Sequence, residues 1–264
     1  MTRSAPGAPE DPPLQELRRV LEALRLDASD QQQGQLLAYL HLLQRWNQVY
    51  NLTAVREPSR MLTLHLADSL AALPALDRRA PRRLLDVGSG GGLPGIVLAI
   101  MRPDWQIVLV EPVQKKCAFL RQVVATLGLH RVAVQQCRVE QWRATATADA
   151  AAAAAGADAD ADADGDGGFD CITSRAVGEL AQLVRISEHL LRPGGAWAAM
   201  KGAPPVAELR ALPAGLCHRV ETLQVPGLEA QRCLVWLWRD IAPTPAARGV
   251  PASSPPIPGL DTSS

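Results

Sequence analysis

Nothing in this 264-residue chain approaches the run of about 20 apolar residues that a membrane-spanning helix requires. Cysteine is scarce: the five thiols, Cys117, Cys137, Cys171, Cys217 and Cys233, are odd in number, far apart and without a C-x-x-C pair. That argues against a disulfide framework and a spaced zinc site, and predicts buried thiols in a reduced, cytoplasmic setting. No basic stretch followed by an apolar one opens the sequence, so a secretory signal is not expected. Disorder throughout is excluded by composition, because hydrophobic residues make up 47% of the chain and a sizeable core can form.

The formal net charge of zero hides an imbalance. Residues 144–168 hold six Asp and no Lys or Arg, while residues 1–13 carry a net −1 and residues 243–264 a net zero. The remaining body therefore carries a net charge of +7. A moderately basic body fits a polyanionic partner, and it also fits many ordinary enzymes.

Composition divides the chain into a disordered tail (1–13), an N-terminal helical region (14–80), an α/β domain (81–242) with an Ala/Asp low-complexity insert (144–168), and a second tail (243–264). Leu14, Leu17, Leu21 and Leu24 recur at helical spacing. After Ser29-Asp30, Leu36, Leu37, Leu40, Leu43, Val49 and Tyr50 fall largely on one side of a second helix, and a third follows Pro58. From residue 83 the rhythm becomes strand, turn, helix. Strands are expected at Leu84–Val87, Gln106–Val110, Arg131–Gln135, Cys171–Thr173 and Ala196–Met200, with helices at Leu93–Met101, Lys115–Leu127 and Leu180–Leu191. That alternation predicts a parallel sheet with helices on both faces. Arg219–Val225 and Cys233–Trp238, with a Pro-Gly turn between, read as an antiparallel hairpin closing the sheet.

The strongest motif is Leu84-Leu-Asp-Val-Gly-Ser-Gly-Gly-Gly-Leu-Pro-Gly95, a strand running into glycines ahead of a helix. Glycine permits tight turning and close approach to a ligand. Gly90-x-Gly92-x-x-Gly95 satisfies the dinucleotide pattern, which alone is weak, and no Lys-Ser/Thr follows, so a phosphate-cradling P-loop fails. Asp86 precedes the glycines, where it can bond backbone or a ligand's ammonium. Glu111 ends the next strand and is placed to accept from a ribose diol. A glycine loop with an acidic strand end fits NAD or S-adenosylmethionine; the acid inside the first strand and the closing hairpin favour the latter. Further stations at strand ends are Val139-Glu140, which could flank an adenine, and two cations, Arg175 and Lys201.

Trp46-Asn-x-x-Tyr-Asn-Leu-Thr53, His65-x-x-Asp-Ser69, Asp86-Val-Gly-Ser-Gly-Gly-Gly-Leu-Pro-Gly95, Arg138-Val-Glu140, Ser174-Arg-Ala176 and Lys201-Gly202 together resemble the RsmG (GidB) family. The resemblance runs in order from about Leu14 to Arg239. Members are bacterial methyltransferases that place a methyl group on N7 of one guanine of 16S rRNA near the decoding centre. The resemblance implies a Rossmann-like class I S-adenosylmethionine-dependent methyltransferase fold, a mostly parallel seven-stranded sheet with a C-terminal antiparallel hairpin and an N-terminal helical extension. It makes Gly88 and Leu93 contacts of the cofactor's methionine end, Val139 and Glu140 contacts of its adenosine, and Arg175 a cofactor-site residue beside Asp86, Gly90, Gly92 and Glu111. Three departures stand out: Leu64 where the family often has Arg, Glu111 where Asp is usual, and the Ala/Asp insert.

Guanine N7 carries a lone pair and no proton, so methylating it needs no general base, and the enzyme's work is positioning. Asn51, His65 and Asp68 are candidates to line the guanine pocket. Arg45, Arg56 and Arg60, with Lys201, are candidates for RNA contact, since phosphate contacts dominate affinity. The expected partner is 16S rRNA or the small ribosomal subunit, with no membrane partner and a monomeric chain. Competing readings are a methyltransferase of a small molecule or protein, and a silent RNA- or cofactor-binding module.

Overall fold

A computed structural model describes residues 11–143 and 168–240, so the expected insert and the bulk of both tails lie outside the described residues. Helix α1 (Pro12–Leu24) begins two residues before its expected start, because proline at the first helical positions presets φ and gives up only an N–H that would lack a partner anyway. It ends at Arg25 in the left-handed region. Helix α2 (Asp30–Tyr50) opens on a reciprocal cap: Ser29 Oγ accepts from the Gln32 N–H, and Gln32 Oε1 accepts from the Ser29 N–H. Next come α3 (Pro58–Met61), a π-helical run (Leu62–Ala67), α4 (Asp68–Leu70) and α5 (Leu73–Asp77).

The strands are β1 (Arg83–Val87), β2 (Gln106–Val110), β3 (Val132–Gln135), β4 (Phe169–Arg175), β5 (Leu191–Lys201), β6 (Leu216–Leu223) and β7 (Arg232–Arg239). They form one sheet in the order β3-β2-β1-β4-β5-β7-β6. Pairing is parallel from β3 to β5, and β7 runs antiparallel to both β5 and β6. Between strands lie α6 (Gly95–Met101), α7 (Gln114–Leu127), α8 (Leu180–Ser187) and the five-residue α9 (Val206–Arg210).

Alternation along the strands sends side chains to two cores. Leu84, Ile107, Leu109, Ala198 and Trp236 face one side, where α6, α7 and the N-terminal helices cover them. Leu85, Val110, Ile172, Trp197 and Val235 face the other, against Leu180, Leu183 and Val184 of α8. Each such fully buried large side chain contributes roughly 1.5–3 kcal/mol. The N-terminal helices share a core with the sheet and so form one body with it.

Several boundaries differ from expectation. The α8 helix stops at Ser187 and continues as a 3₁₀ turn, Glu188–Leu190. Strand β5 starts at Leu191 and takes in Arg192-Pro193-Gly194-Gly195, because Leu191 pairs with Phe169 across a register irregularity. Strand β6 sits two to three residues earlier than its hydrophobic pattern suggested; it is an edge strand and mostly half-exposed, so its pattern is weak. The end of α2 is the clearest correction: Val49 and Tyr50 are 69% and 40% exposed, beyond the face that Leu36, Leu40 and Leu43 bury. Among the described residues, no helix is long and apolar enough to cross a membrane.

Candidate active site

In a sheet of this order the parallel strands are laid outward in opposite directions from β1 and β4, which opens a crevice at their carboxyl ends. The glycine run fills it. Gly88, Gly90 and Gly92 have φ of 69°, 57° and 91°, a region that side chains disfavour. A Cβ on Gly92 would lie 2.6 Å from Ile96 Cγ1, so this turn is closed to any larger residue. The turn hangs on β2 through the Gly88 N–H, which donates to the Val110 carbonyl at 2.9 Å.

Two buried acids brace it. Asp86 Oδ2 accepts from the Gly95 N–H at 3.1 Å, and a Cβ on Gly95 would sit 2.7 Å from that oxygen. Asp86 Oδ1 is buried without a hydrogen-bond partner. Burial pushes the Asp86 carboxyl up to about 7, against the pull of the Gly95 N–H, the Ser89 hydroxyl and Arg175. Glu111 Oε2 accepts from the Gly90 N–H at 2.9 Å, and Oε1 from the Val113 N–H at 3.0 Å. Each oxygen keeps a lone pair for a hydroxyl donor.

The helical region supplies the opposite wall. Tyr39, fully buried, donates its hydroxyl to the Gly91 carbonyl at 2.6 Å, and burial holds that hydroxyl protonated. Asn47 Oδ1 accepts from the Thr53 N–H at 2.8 Å, and its amide donates to the Val55 carbonyl, fixing the loop after α2. Thr53 Oγ1 lies 3.2 Å from His65 Nε2, and His65 Nδ1 is buried without a partner. Burial, reinforced by Arg175, lowers the His65 pKa to about 4, so the ring is neutral at pH 7.

Arg175 joins the two walls. Its Nη1 donates to the Leu64 carbonyl and to Asp68 Oδ2, both at 3.0 Å, while Arg232 Nε donates to Asp68 Oδ1 at 2.8 Å. Asp68 is buried, so two guanidinium groups compensate one desolvated carboxylate. The candidates Asp86, Gly88, Gly90, Gly92, Leu93, Glu111 and Arg175 thus converge, with His65 and Asp68 on the facing helices. Val139 is buried in the same apolar core as Val110, and Glu140, exposed, follows it on a 3₁₀ turn.

Other candidates fall elsewhere. Asn51 caps α2 in the left-handed region; it is exposed, and its Oδ1 accepts from Arg56 rather than joining His65 and Asp68. Lys201 donates to the Gly178 carbonyl at 2.7 Å and to both Glu208 oxygens, at 2.8 and 3.1 Å. Its charge is balanced within the fold, where its expected part in RNA contact would want it free. Arg45, Arg56 and Arg60 are exposed. Tyr39, Glu208 and Arg232 were not foreseen. Their partners lie 52, 7 and 164 residues away, and only the short Lys201–Glu208 spacing offered any signal.

A 3-2-1-4-5-7-6 sheet with one antiparallel strand, a glycine turn after β1 and an acid closing β2 define the class I methyltransferase fold. The family model described as "rRNA small subunit methyltransferase G" (GidB) matches residues 32–235, and the chain belongs to that family. The "Ribosomal RNA small subunit methyltransferase G" of Leptothrix cholodnii is 50% identical over 220 residues, 82% of this chain and 91% of that one. Its counterpart in Methylibium petroleiphilum is 44% identical over 229 residues, covering 85% and 94%. That of Bordetella pertussis is 40% identical over 238 residues, covering 86% and 94%.

Proposed function

We propose that this chain transfers the methyl group of S-adenosylmethionine to N7 of a guanine in 16S rRNA near the decoding centre, acting as a monomer in the cytoplasm. The observation that carries this reading is that the family match spans residues 32–235, taking in the helical wall with His65 and Asp68 as well as the glycine turn. The match therefore covers the helical residues proposed to line the guanine pocket along with the glycine turn.

The residues present fit S-adenosylmethionine. Asp86 Oδ1, a buried acceptor without a donor, suits an ammonium group. Glu111 offers lone pairs to a ribose diol, Val139 an apolar wall to adenine with Glu140 at its rim, and Arg175 further N–H donors to a carboxylate. When bound, the cofactor supplies an electrophilic methyl group on sulfonium sulfur. The chain's own part is to orient guanine and exclude water. Guanine N7 has no proton to remove, so a neutral His65 suffices as a hydrogen-bonding wall and no side chain must act as base.

The test is incorporation of labelled methyl into small ribosomal subunits and naked 16S rRNA that lack N7-methylguanine, with chemical cleavage at the modified base. One labelled guanine is expected, and the Arg175→Ala chain should lose about 10- to 150-fold in rate, the range for a hydrogen bond to a charged group. Cofactor binding without any label in RNA would overturn the proposal.

A further inference from the structure

The overhanging end of α2 is unusual for a chain whose aromatic residues are few. Tyr50 is 40% exposed and its ring packs against Trp46, centroids 5.0 Å apart. Trp46 is braced from behind by Phe119, at 5.6 Å, and by Gln122, whose Oε1 accepts the indole N–H at 3.1 Å. Tyr50 is therefore an aromatic face held rigidly at the surface. Val49, 69% exposed, extends the apolar area beside it.

This face is within reach of the site along the chain. Thr53 Cγ2 would lie 3.3 Å from a Cβ on Gly91, so Thr53 touches the glycine turn. Tyr50 is three residues earlier, within about 11 Å of chain. The neighbouring sequence is cationic. Residues 45–60 contain three arginines, all exposed, against one acid, Glu57. Lys115 and Lys116 lie in the first turn of α7, which carries no acid and starts three residues after Glu111.

The geometry points to Tyr50, on its Trp46 support, as a stacking platform for an unpaired nucleotide of the RNA substrate next to the methyl-accepting guanine. An exposed ring within a basic rim is the combination that single-stranded RNA recognition uses: base on ring, phosphates on Arg and Lys. A protein partner would ask for a wider apolar face with acids matched to its own cations, whereas this rim is nearly all of one sign. The inference rests on the RNA-methyltransferase reading and adds the residue that grips the flanking strand.

The test uses the full chain and a single-stranded RNA hexamer, with binding followed by fluorescence anisotropy at several salt concentrations. Tyr50→Ala should weaken binding about tenfold or more, the loss expected for one base–aromatic stack, with an unchanged salt slope because no phosphate contact is removed. Tyr50→Phe should restore it. Tyr50→Leu, which keeps apolar bulk and the helix, should not. An abasic hexamer should bind wild type and Tyr50→Ala alike. With small subunits, Tyr50→Ala should raise KM by a similar factor, while affinity for S-adenosylmethionine stays as in wild type. Restoration by Leu, or equal loss on ordinary and abasic RNA, overturns the platform. Wild type that labels RNA while Tyr50→Ala keeps its KM overturns the platform alone; wild type that labels no RNA overturns the parent reading and the platform with it.

Discussion

Replacing Asp86 by Asn isolates a conflict between stability and binding at the centre of the site. The carboxyl is fully buried, one oxygen has the Gly95 N–H and the other has nothing, and its pKa is raised from 3.8 to about 7. Between those values the folded chain keeps a proton that the unfolded chain releases. Stability therefore falls as pH rises through the window, and the loss is complete above about 7. Between pH 5 and pH 8 the carboxyl removes about 3 kcal/mol, at about 1.4 kcal/mol per pH unit of difference in protonation. Asn keeps an oxygen for Gly95 and cannot ionise. Whatever fixed cost its buried amide brings, about 1–3 kcal/mol if unpaired, is the same at both pH values. The stability of Asp86→Asn relative to wild type should thus improve by about 3 kcal/mol from pH 5 to pH 8. In thermal unfolding that is roughly 6–12 °C of relative shift for a domain of this size. Calorimetric titration at pH 8 should show weakened S-adenosylmethionine binding in the same variant. An Asn variant whose deficit is as large at pH 8 as at pH 5 would refute the claim that the ionised acid is held against its preference.

His65→Gln should change the acid limb in the opposite sense. A neutral buried imidazole stabilises above pH 6.5 and loses that contribution as pH falls towards about 4, about 3 kcal/mol in all, and urea titrations at pH 4.5 and 7 should show this dependence absent from the variant. Tyr39→Phe leaves the Gly91 carbonyl without its buried donor; stability should fall by about 1–3 kcal/mol in denaturant melts, with cofactor affinity falling as the turn loosens.

What the sequence made legible was local. The run from Asp86 to Gly95 folds as its glycines require, and Glu111 arrives at the turn because β2 pairs with β1 in register, Val87 opposite Val110. The order of helices and strands could be read from apolar periods, and the family resemblance from short motifs. Side-chain pairings across the fold could not. Asp68 reads as a polar residue on a helix until Arg175 and Arg232, 107 and 164 residues away, close on it. Asn51 and Lys201 sit in suggestive motifs, yet their polar atoms are bound by Arg56 and Glu208, an outcome fixed by tertiary packing. Helix α9 escaped notice because five residues, none buried, carry no apolar period.

The placement of β7 between β5 and β6 has a consequence for synthesis. A nascent chain emerges with β5 presenting a bare edge and β6 with no strand to pair with, since both await β7. The same stretch brings Arg232, the second counter-charge of Asp68, a residue made 164 positions earlier. Closure of the sheet and completion of the ion cluster therefore coincide, both waiting on the synthesis of β7. A chain stalled before Arg232 lacks both at once, which leaves it open to edge pairing with its neighbours and without the finished wall around Arg175.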